Sequence, residues 1–146
     1  MTDPAARPVR TIGILGGGQL GRMLALAGAR LGLRSVVLCP DAASPAFEVA
    51  AEHIVAAYED EAALAAFADR VDVVTYEFEN VPAATAAFLA ARRPVRPGPR
   101  SLEVSQDRLA EKTFLAELGI ETAPFRAVDT LADLEAGLVA VGYPAV

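Results

Sequence analysis

The sequence predicts an α/β fold, a doubly wound and mostly parallel sheet with helices on both faces. Three observations carry this. A short apolar run ends in Gly16, Gly17 and Gly18, and a periodic apolar segment from Leu20 to Leu33 follows, the order of strand, tight turn and helix. Further short apolar runs alternate with helical segments on short connections, a pattern that builds right-handed parallel units. The runs are nearly continuous in apolar residues, as strands covered on both faces must be.

In chain order, residues 1–9 read as a loose tail. The first strand is expected over 10–15 and the first helix over 19–31, closed by Gly32. Residues 35–39 form a second strand that Pro40 halts. Ser44 as N-cap and Pro45 at the first helical position open a short helix. Ile54 and Val55 mark a brief third strand. Residues 61–70 read as helical with Leu64, Phe67 and Ala68 on one face; 71–76 is the fourth strand and 82–91 the next helix. Val95, between Pro94 and Pro97, is a candidate for a short fifth strand.

From Arg92 to Arg100, Pro94, Pro97, Gly98 and Pro99 are interleaved with Arg92, Arg93, Arg96 and Arg100. Such a stretch is expected to be no regular helix and to mark the edge of the first unit, as an exposed basic hinge or, alternatively, as an anion contact. A helix over 105–118, ended by Gly119, comes next. Residues 124–128 are expected to be extended, and Thr130 to Asp133 resembles a capping box before a helix reaching about Ala140. Residues 142–146 begin another apolar strand, so the chain reads as cut short there.

Composition narrows the function. A chain of 146 residues with 53% hydrophobic and 22% charged residues can bury a real core. Its net charge of −6 argues against general nucleic-acid affinity, although clustered N–H groups and arginines still permit one anionic small molecule. Cys39 is the only cysteine, so an intrachain disulfide or a cysteine-based zinc site is excluded, which suits a reducing cytoplasm. No signal peptide is visible in the first ten residues and no apolar run is long enough for a membrane span. The expectation is a soluble cytoplasmic protein with no nucleic-acid or membrane partner.

Gly16, Gly18 and Gly21 match the G-x-G-x-x-G spacing. Gly16 allows the sharp turn, Gly18 lets a phosphate or sugar approach the backbone, and Gly21 lets the helix pack near the strand. Glu77 and Glu79 follow the fourth strand, at the sheet edge where ligands of open parallel sheets bind. An acceptor-only carboxylate with two oxygens suits the two hydroxyls of a ribose; the alternative is that one of them caps the helix after Pro82. Arg108 and Lys112, four residues apart on one helix, make either a solvated ionic face with Asp107 and Glu111 or a contact for a nucleotide phosphate. His53, the only histidine, has no companions at metal-ligand spacing and reads as structural, and Cys39 reads as a buried apolar residue at a strand end. Arg22 leans on the glycine loop or simply lies on a helix surface. No constellation for nucleophilic catalysis is visible, so no catalytic residue and no metal ligand is assigned.

Read together, Ile14-Leu15-Gly16-Gly17-Gly18-Gln19-Leu20-Gly21-Arg22-Met23, Thr75-Tyr76-Glu77-Phe78-Glu79-Asn80-Val81, Gln106-Asp107-Arg108 with Lys112, and Gly142-Tyr143-Pro144 carry a family pattern. From about Arg10 onward the chain closely resembles the N-terminal part of carboxyaminoimidazole ribonucleotide synthetase, the ATPase subunit type of phosphoribosylaminoimidazole carboxylase, in the ATP-grasp superfamily. The resemblance implies a Rossmann-like pre-ATP-grasp domain over 10–100 and the incomplete start of an ATP-grasp domain over 101–146. It implies a ligase in which ATP and bicarbonate give carboxyphosphate, which carboxylates the exocyclic amine of aminoimidazole ribonucleotide in purine biosynthesis. By similarity, Gly16, Gly17, Gly18, Gln19 and Leu20 would hold the ribonucleotide's phosphate and ribose end, Glu77 would take the ribose hydroxyls and Arg108 would reach ATP phosphates. Glu79 and Lys112 are secondary candidates. ATP and Mg2+ are the implied cofactors, although the family's magnesium carboxylates and glycine-rich flap lie beyond this sequence, so the isolated chain is expected to be inactive. Full-length relatives are expected to be homodimers.

Two other classes remain open at this point. A nicotinamide-dependent oxidoreductase would need an acid ending the second strand; Asp41 has nearly that spacing but sits past Pro40, with Cys39 at the strand end. A non-catalytic ribonucleotide-binding module is the other. Among related ATP-grasp enzymes, those acting on glycinamide ribonucleotide tend to carry an acid where this chain has Gln19. By resemblance, Gln19 with the aromatic Tyr76 and Phe78 favours the imidazole acceptor.

Overall fold

A computed structural model describes residues 9–145; residues 1–8 of the tail expected over 1–9 and the last residue of the expected terminal strand, Val146, lie outside the described residues. The chain forms two compact units, one ending at Leu102 and one beginning at Glu103.

The first unit runs β1 (Thr11–Leu15), α1 (Gln19–Arg30), β2 (Arg34–Cys39), a 3-10 turn (Pro45–Glu48), β3 (Glu52–Val55), α2 (Glu61–Ala68), β4 (Val73–Tyr76) and α3 (Ala83–Ala90). The strands form one parallel sheet in the order β3-β2-β1-β4. Leu15 lies opposite both Leu38 and Tyr76, so the carboxyl ends of β1, β2 and β4 are level. Everything that leaves those three strands therefore emerges at one edge.

Alternation along the strands supplies two cores. Leu15, Val36, Leu38 and Val74 face Leu64, Phe67 and Ala68 of α2 and Ala86 and Leu89 of α3. Ile14 and Val37 face the other way, onto Ala25 of α1 and Ala46 of the 3-10 turn. The expected face of α2 is the buried one. Gly13 has a packing reason: a Cβ there would stand 2.5 Å from Cζ of the fully buried Phe67, so only hydrogen lets that ring lie on β1. α1 buries only small residues, Gly21, Ala25 and Gly28, while Leu20, Met23, Leu24 and Leu26 are exposed. A Cβ on Gly28 would already meet Ile12 Cδ1 at 3.2 Å, so α1 lies too close to the sheet for a large side chain on that face.

Several expectations change in detail. The fifth strand shrinks to a single parallel bridge between Val74 and Val95. The Val74 N–H donates to the Pro94 carbonyl at 2.9 Å and the Arg96 N–H to the Val74 carbonyl at 2.9 Å, and the flanking prolines have no N–H with which to extend the ladder. Ser44 does not cap with its side chain; its hydroxyl donates to the Asp41 carbonyl at 2.6 Å, and Pro45 alone opens the 3-10 turn. The helix expected over 105–118 is α5 (Arg108–Glu117), and a separate helix, α4 (Pro99–Ser105), precedes it. Asp107 is extended and its carboxylate accepts the Ala110 N–H at 2.7 Å, which starts α5 afresh. α4 begins inside the stretch expected to be non-helical, because a proline is tolerated in the first helical turn. Its Leu102 is fully buried in the first unit's core.

In the second unit, Thr130 and Asp133 form the expected capping box of α6 (Leu131–Val141). Residues 124–128 pair with no strand, and 142–145 form no strand either.

Candidate functional site

The loop after β1 is built by hydrogen bonds to its neighbours at the sheet edge. The Gly16 N–H donates to the Leu38 carbonyl at 3.0 Å, and the Gly17 carbonyl accepts the Ala46 N–H at 2.9 Å. Gly16 has φ +108°, which a side chain rarely adopts. Gly17 has a different reason: a Cβ there would collide with the Ser44 side chain. Gly18 is the N-cap of α1 and has no side chain with which to cap it, and the first turn of α1 holds no acid.

The missing cap arrives from β4. The Glu77 N–H donates to the Leu15 carbonyl at 3.1 Å, continuing the ladder past Tyr76 and aiming the side chain across the end of β1. One carboxylate oxygen, Oε1, accepts the Gly18 N–H at 3.0 Å, and the other, Oε2, accepts the Gly21 N–H. These are the N-cap and third-position donors that a capping box would satisfy locally. Here one carboxylate 59 residues further on serves Gly18. Two of the fingerprint glycines are fitted to it: a Cβ on Gly16 would overlap the Glu77 side chain and one on Gly18 would stand 2.9 Å from Oε1, whereas one on Gly21 would first meet the Gly16 carbonyl oxygen at 2.4 Å, the close helix packing expected of that glycine, with Oε2 at 3.0 Å. The close approach that the glycine spacing signals is thus made, in this structure, by the chain's own carboxylate.

Around this centre the edge is half-buried. The Tyr58 hydroxyl lies 3.9 Å from the buried Cys39 sulfur. Burial first, then Cys39 and the Glu77 carboxylate, push the Tyr58 phenol far above its usual range, so it is a neutral donor at any ordinary pH. Sequence reading passed over Tyr58, which follows the short third strand without a motif to mark it; its position after a strand that ends at this edge was the available signal. Arg22 turns to Glu48 and to the Pro45 carbonyl, so it braces the 3-10 turn instead of reaching the loop.

None of the other candidates is buried. Gln19 and Leu20 are exposed where the loop enters α1, and Glu79 is exposed two residues past Glu77. Arg108 is exposed on α5 and paired with Glu111, while the Lys112 ammonium lies 5.4 Å from the centre of the Phe125 ring. His53 stacks on Phe47 with centroids 4.4 Å apart, in keeping with a structural role. In the basic segment the Arg92 guanidinium covers the Phe88 ring, Arg93 donates to the Val71 carbonyl at 2.8 Å and Arg96 to the Val95 carbonyl at 2.8 Å. Three of its arginines are therefore engaged by the chain itself. Among the described residues no three His, Cys, Asp or Glu side chains converge as a metal site. No helix among them is long and apolar enough to cross a membrane.

Parallel order, a glycine loop at the level carboxyl edge and a carboxylate held against that loop define a Rossmann-like α/β unit. The model of the ribonucleotide synthetase preATP-grasp domain matches residues 9–106, and the chain belongs to that family. It is 55% identical over 142 residues to an N5-carboxyaminoimidazole ribonucleotide synthase of Brucella melitensis, covering 97% of this chain and 39% of that protein. It resembles the crystal structure of N5-carboxyaminoimidazole ribonucleotide synthetase from Thermus thermophilus with a TM-score of 0.87 and 54% identity, over 91% of this chain and 37% of that one. A synthase of Aspergillus clavatus in complex with ADP and 5-aminoimidazole ribonucleotide matches with a TM-score of 0.83 and 32% identity, over 92% and 37% of the two chains. The chain thus spans about two fifths of the length of the curated relatives it matches, 39% and 37% for two of them.

Proposed function

We propose that this chain forms the acceptor-binding portion of an ATP-dependent ligase that carboxylates aminoimidazole ribonucleotide with bicarbonate, through carboxyphosphate, in cytoplasmic purine biosynthesis. Residues 10–100 make the pre-ATP-grasp domain and 101–146 begin the ATP-grasp domain. Family membership and relatives of that name support the reading. The observation that carries it is the seating of Glu77. A carboxylate has about four lone-pair sites, and two of them are taken by the Gly18 and Gly21 amides. The remaining two suit the vicinal hydroxyls of a ribose, held rigidly because the carboxylate is already anchored.

Gly16, Gly17 and Gly18 then shape the wall on which the sugar rests, and the exposed Gln19 and Leu20 contact the rest of the nucleotide. Arg108 contributes to the ATP phosphates, with Lys112 and Glu79 in secondary roles. Magnesium supplies charge neutralisation to those phosphates when bound, through ligands outside the described residues, and the complete protein acts as a homodimer. An oxidoreductase reading fits less well. A dinucleotide's pyrophosphate needs the loop amides that Glu77 occupies, and the Asp41 carboxylate is turned to the Ala43 N–H at 2.9 Å.

The test is calorimetric titration of the 146-residue chain with aminoimidazole ribonucleotide, with NADH as competitor class. Saturable binding that weakens by about tenfold or more in Glu77→Gln is expected, since a hydrogen bond to a charged acceptor is lost. Saturation by NADH with no response to the ribonucleotide would overturn the proposal.

A further inference from the structure

We propose that the cavity between the end of α3 and the Val95 bridge, lined by Arg92, Arg93 and Arg96, is a binding site for a phosphate-chain anion. The proposal does not rest on the acceptor reading above, because this cavity shares no residue with the glycine loop. Its volume is about 450 Å³, and no acid is among its lining residues. The chain as a whole carries a net charge of −6, so three cations gathered on one concave surface run against its general sign.

Each guanidinium is held in place by a neutral acceptor. Arg92 lies over the Phe88 ring, 3.7 Å from its centre, and donates to the Phe88 carbonyl at 2.9 Å. Arg93 donates through Nε to the Val71 carbonyl at 2.8 Å and through a terminal nitrogen to the Arg92 carbonyl at 2.9 Å. Arg96 donates to the Val95 carbonyl at 2.8 Å. Carbonyls orient a cation without cancelling its charge, and among the described residues none of these three arginines pairs with a carboxylate. A guanidinium has five N–H donors, so these bonds leave most of each fork for a ligand. The backbone beneath is fixed at both ends: the Arg92 and Arg93 amides donate to the Leu89 carbonyl, and the Arg96 amide to that of Val74. Side chains already ordered in this way reduce the cost of binding.

Capping the end of α3 needs one cation, and guarding a sheet edge needs only exposed charge, for which lysine serves as well. Three planar forks around one cavity match the paired oxygens of a phosphate chain, which they can take bidentately. Inorganic pyrophosphate and the tail of a nucleoside triphosphate share this chemistry.

The experiment follows the arginine Nε–H and backbone amide resonances of the isotope-labelled 146-residue chain as pyrophosphate is added at low salt. Saturable shifts at Arg92, Arg93 and Arg96 are expected, with binding that weakens as salt is raised. Arg96→Gln should weaken binding by about fivefold or more. Arg30→Gln removes one positive charge from the end of α1 and should bind as wild type. ATP in place of pyrophosphate separates the two sources: the same shifts assign the site to a nucleotide's phosphate tail, and their absence assigns it to inorganic phosphate chains. The proposal is overturned by a wild-type chain without saturable pyrophosphate shifts, by unchanged binding in Arg96→Gln, or by equal weakening in Arg30→Gln. Shifts at these arginines that grow with protein concentration in the absence of any anion also overturn it, because they mark an acidic protein surface as the occupant. Should Arg96→Gln fail to fold, Arg92→Gln takes its place with the same expectation.

Discussion

Replacing Glu77 with alanine should unwind the first turn of α1 without touching the core. Two backbone donors lose a charged acceptor, Gly18 N–H at 3.0 Å and Gly21 N–H. Hydrogen bonds to charged groups are worth about 1.5–3 kcal/mol each, which sets a ceiling of roughly 3–6 kcal/mol. The site is only part-buried, so water reaches the freed amides and the loss falls toward the helix-cap scale, about 0.5–2 kcal/mol. The expected cost is therefore about 2 kcal/mol, near the top of the cap range because one side chain serves two donors. In urea unfolding followed by circular dichroism, with a slope near 2 kcal/mol/M, the midpoint should fall by about 1 M at unchanged slope. Amide exchange at Gly18 and Gly21 should quicken, while exchange at the β2 amides follows only the global change. A loss under about 0.5 kcal/mol, with Gly18 and Gly21 exchanging as in wild type, would refute the reasoning that this carboxylate caps α1.

Two further outcomes follow from other parts of the chain. Gly13→Ala places a methyl against the fully buried Phe67 ring, 2.5 Å from Cζ, and should cost about 1–3 kcal/mol in the same urea assay; Phe67→Leu in that background should recover part of it by clearing the space. The Asp133 carboxyl lies below its usual value of 3.8, held there first by the Thr130 hydroxyl, then by the Thr130 and Asp129 amides. Its contribution to α6 is thus complete above that usual value and is lost as pH falls through the lower folded value. The Thr130 and Asp133 amide resonances should report the loss together, and Asp133→Asn should remove that pH dependence.

Local chemistry made much of the fold readable in advance. Nearly continuous apolar runs, the proline after Cys39 and the Thr130 capping box each encode their element within a few residues, and all of them stand where the sequence put them. The errors arose where two local signals competed. Asp107 is as good an N-cap as any, and it starts α5 at Arg108 where apolar periodicity alone began the helix at about 105. Pro99 reads as a breaker in a basic, glycine-bearing stretch, yet it opens α4 because Leu102 has a core to enter. Val95 pairs with Val74 for one bridge only, since the prolines beside it lack the N–H to continue.

The sequence by itself determined the strand–loop–helix order, the need for glycine at 16, 18 and 21, and the arrival of Glu77 at the same sheet edge. These depend on turn geometry and strand periodicity, which act over neighbouring residues. Only the tertiary structure decided what the glycines make room for. Glu77 reaches Gly18 across 59 residues because β1 and β4 are adjacent and in register, a relation no local pattern contains. The same holds for α1, whose leucines point outward because Gly21, Ala25 and Gly28 let the helix settle against the sheet. Hydrogen bonding and close packing between distant segments, unlike propensity, exist only once the sheet has assembled.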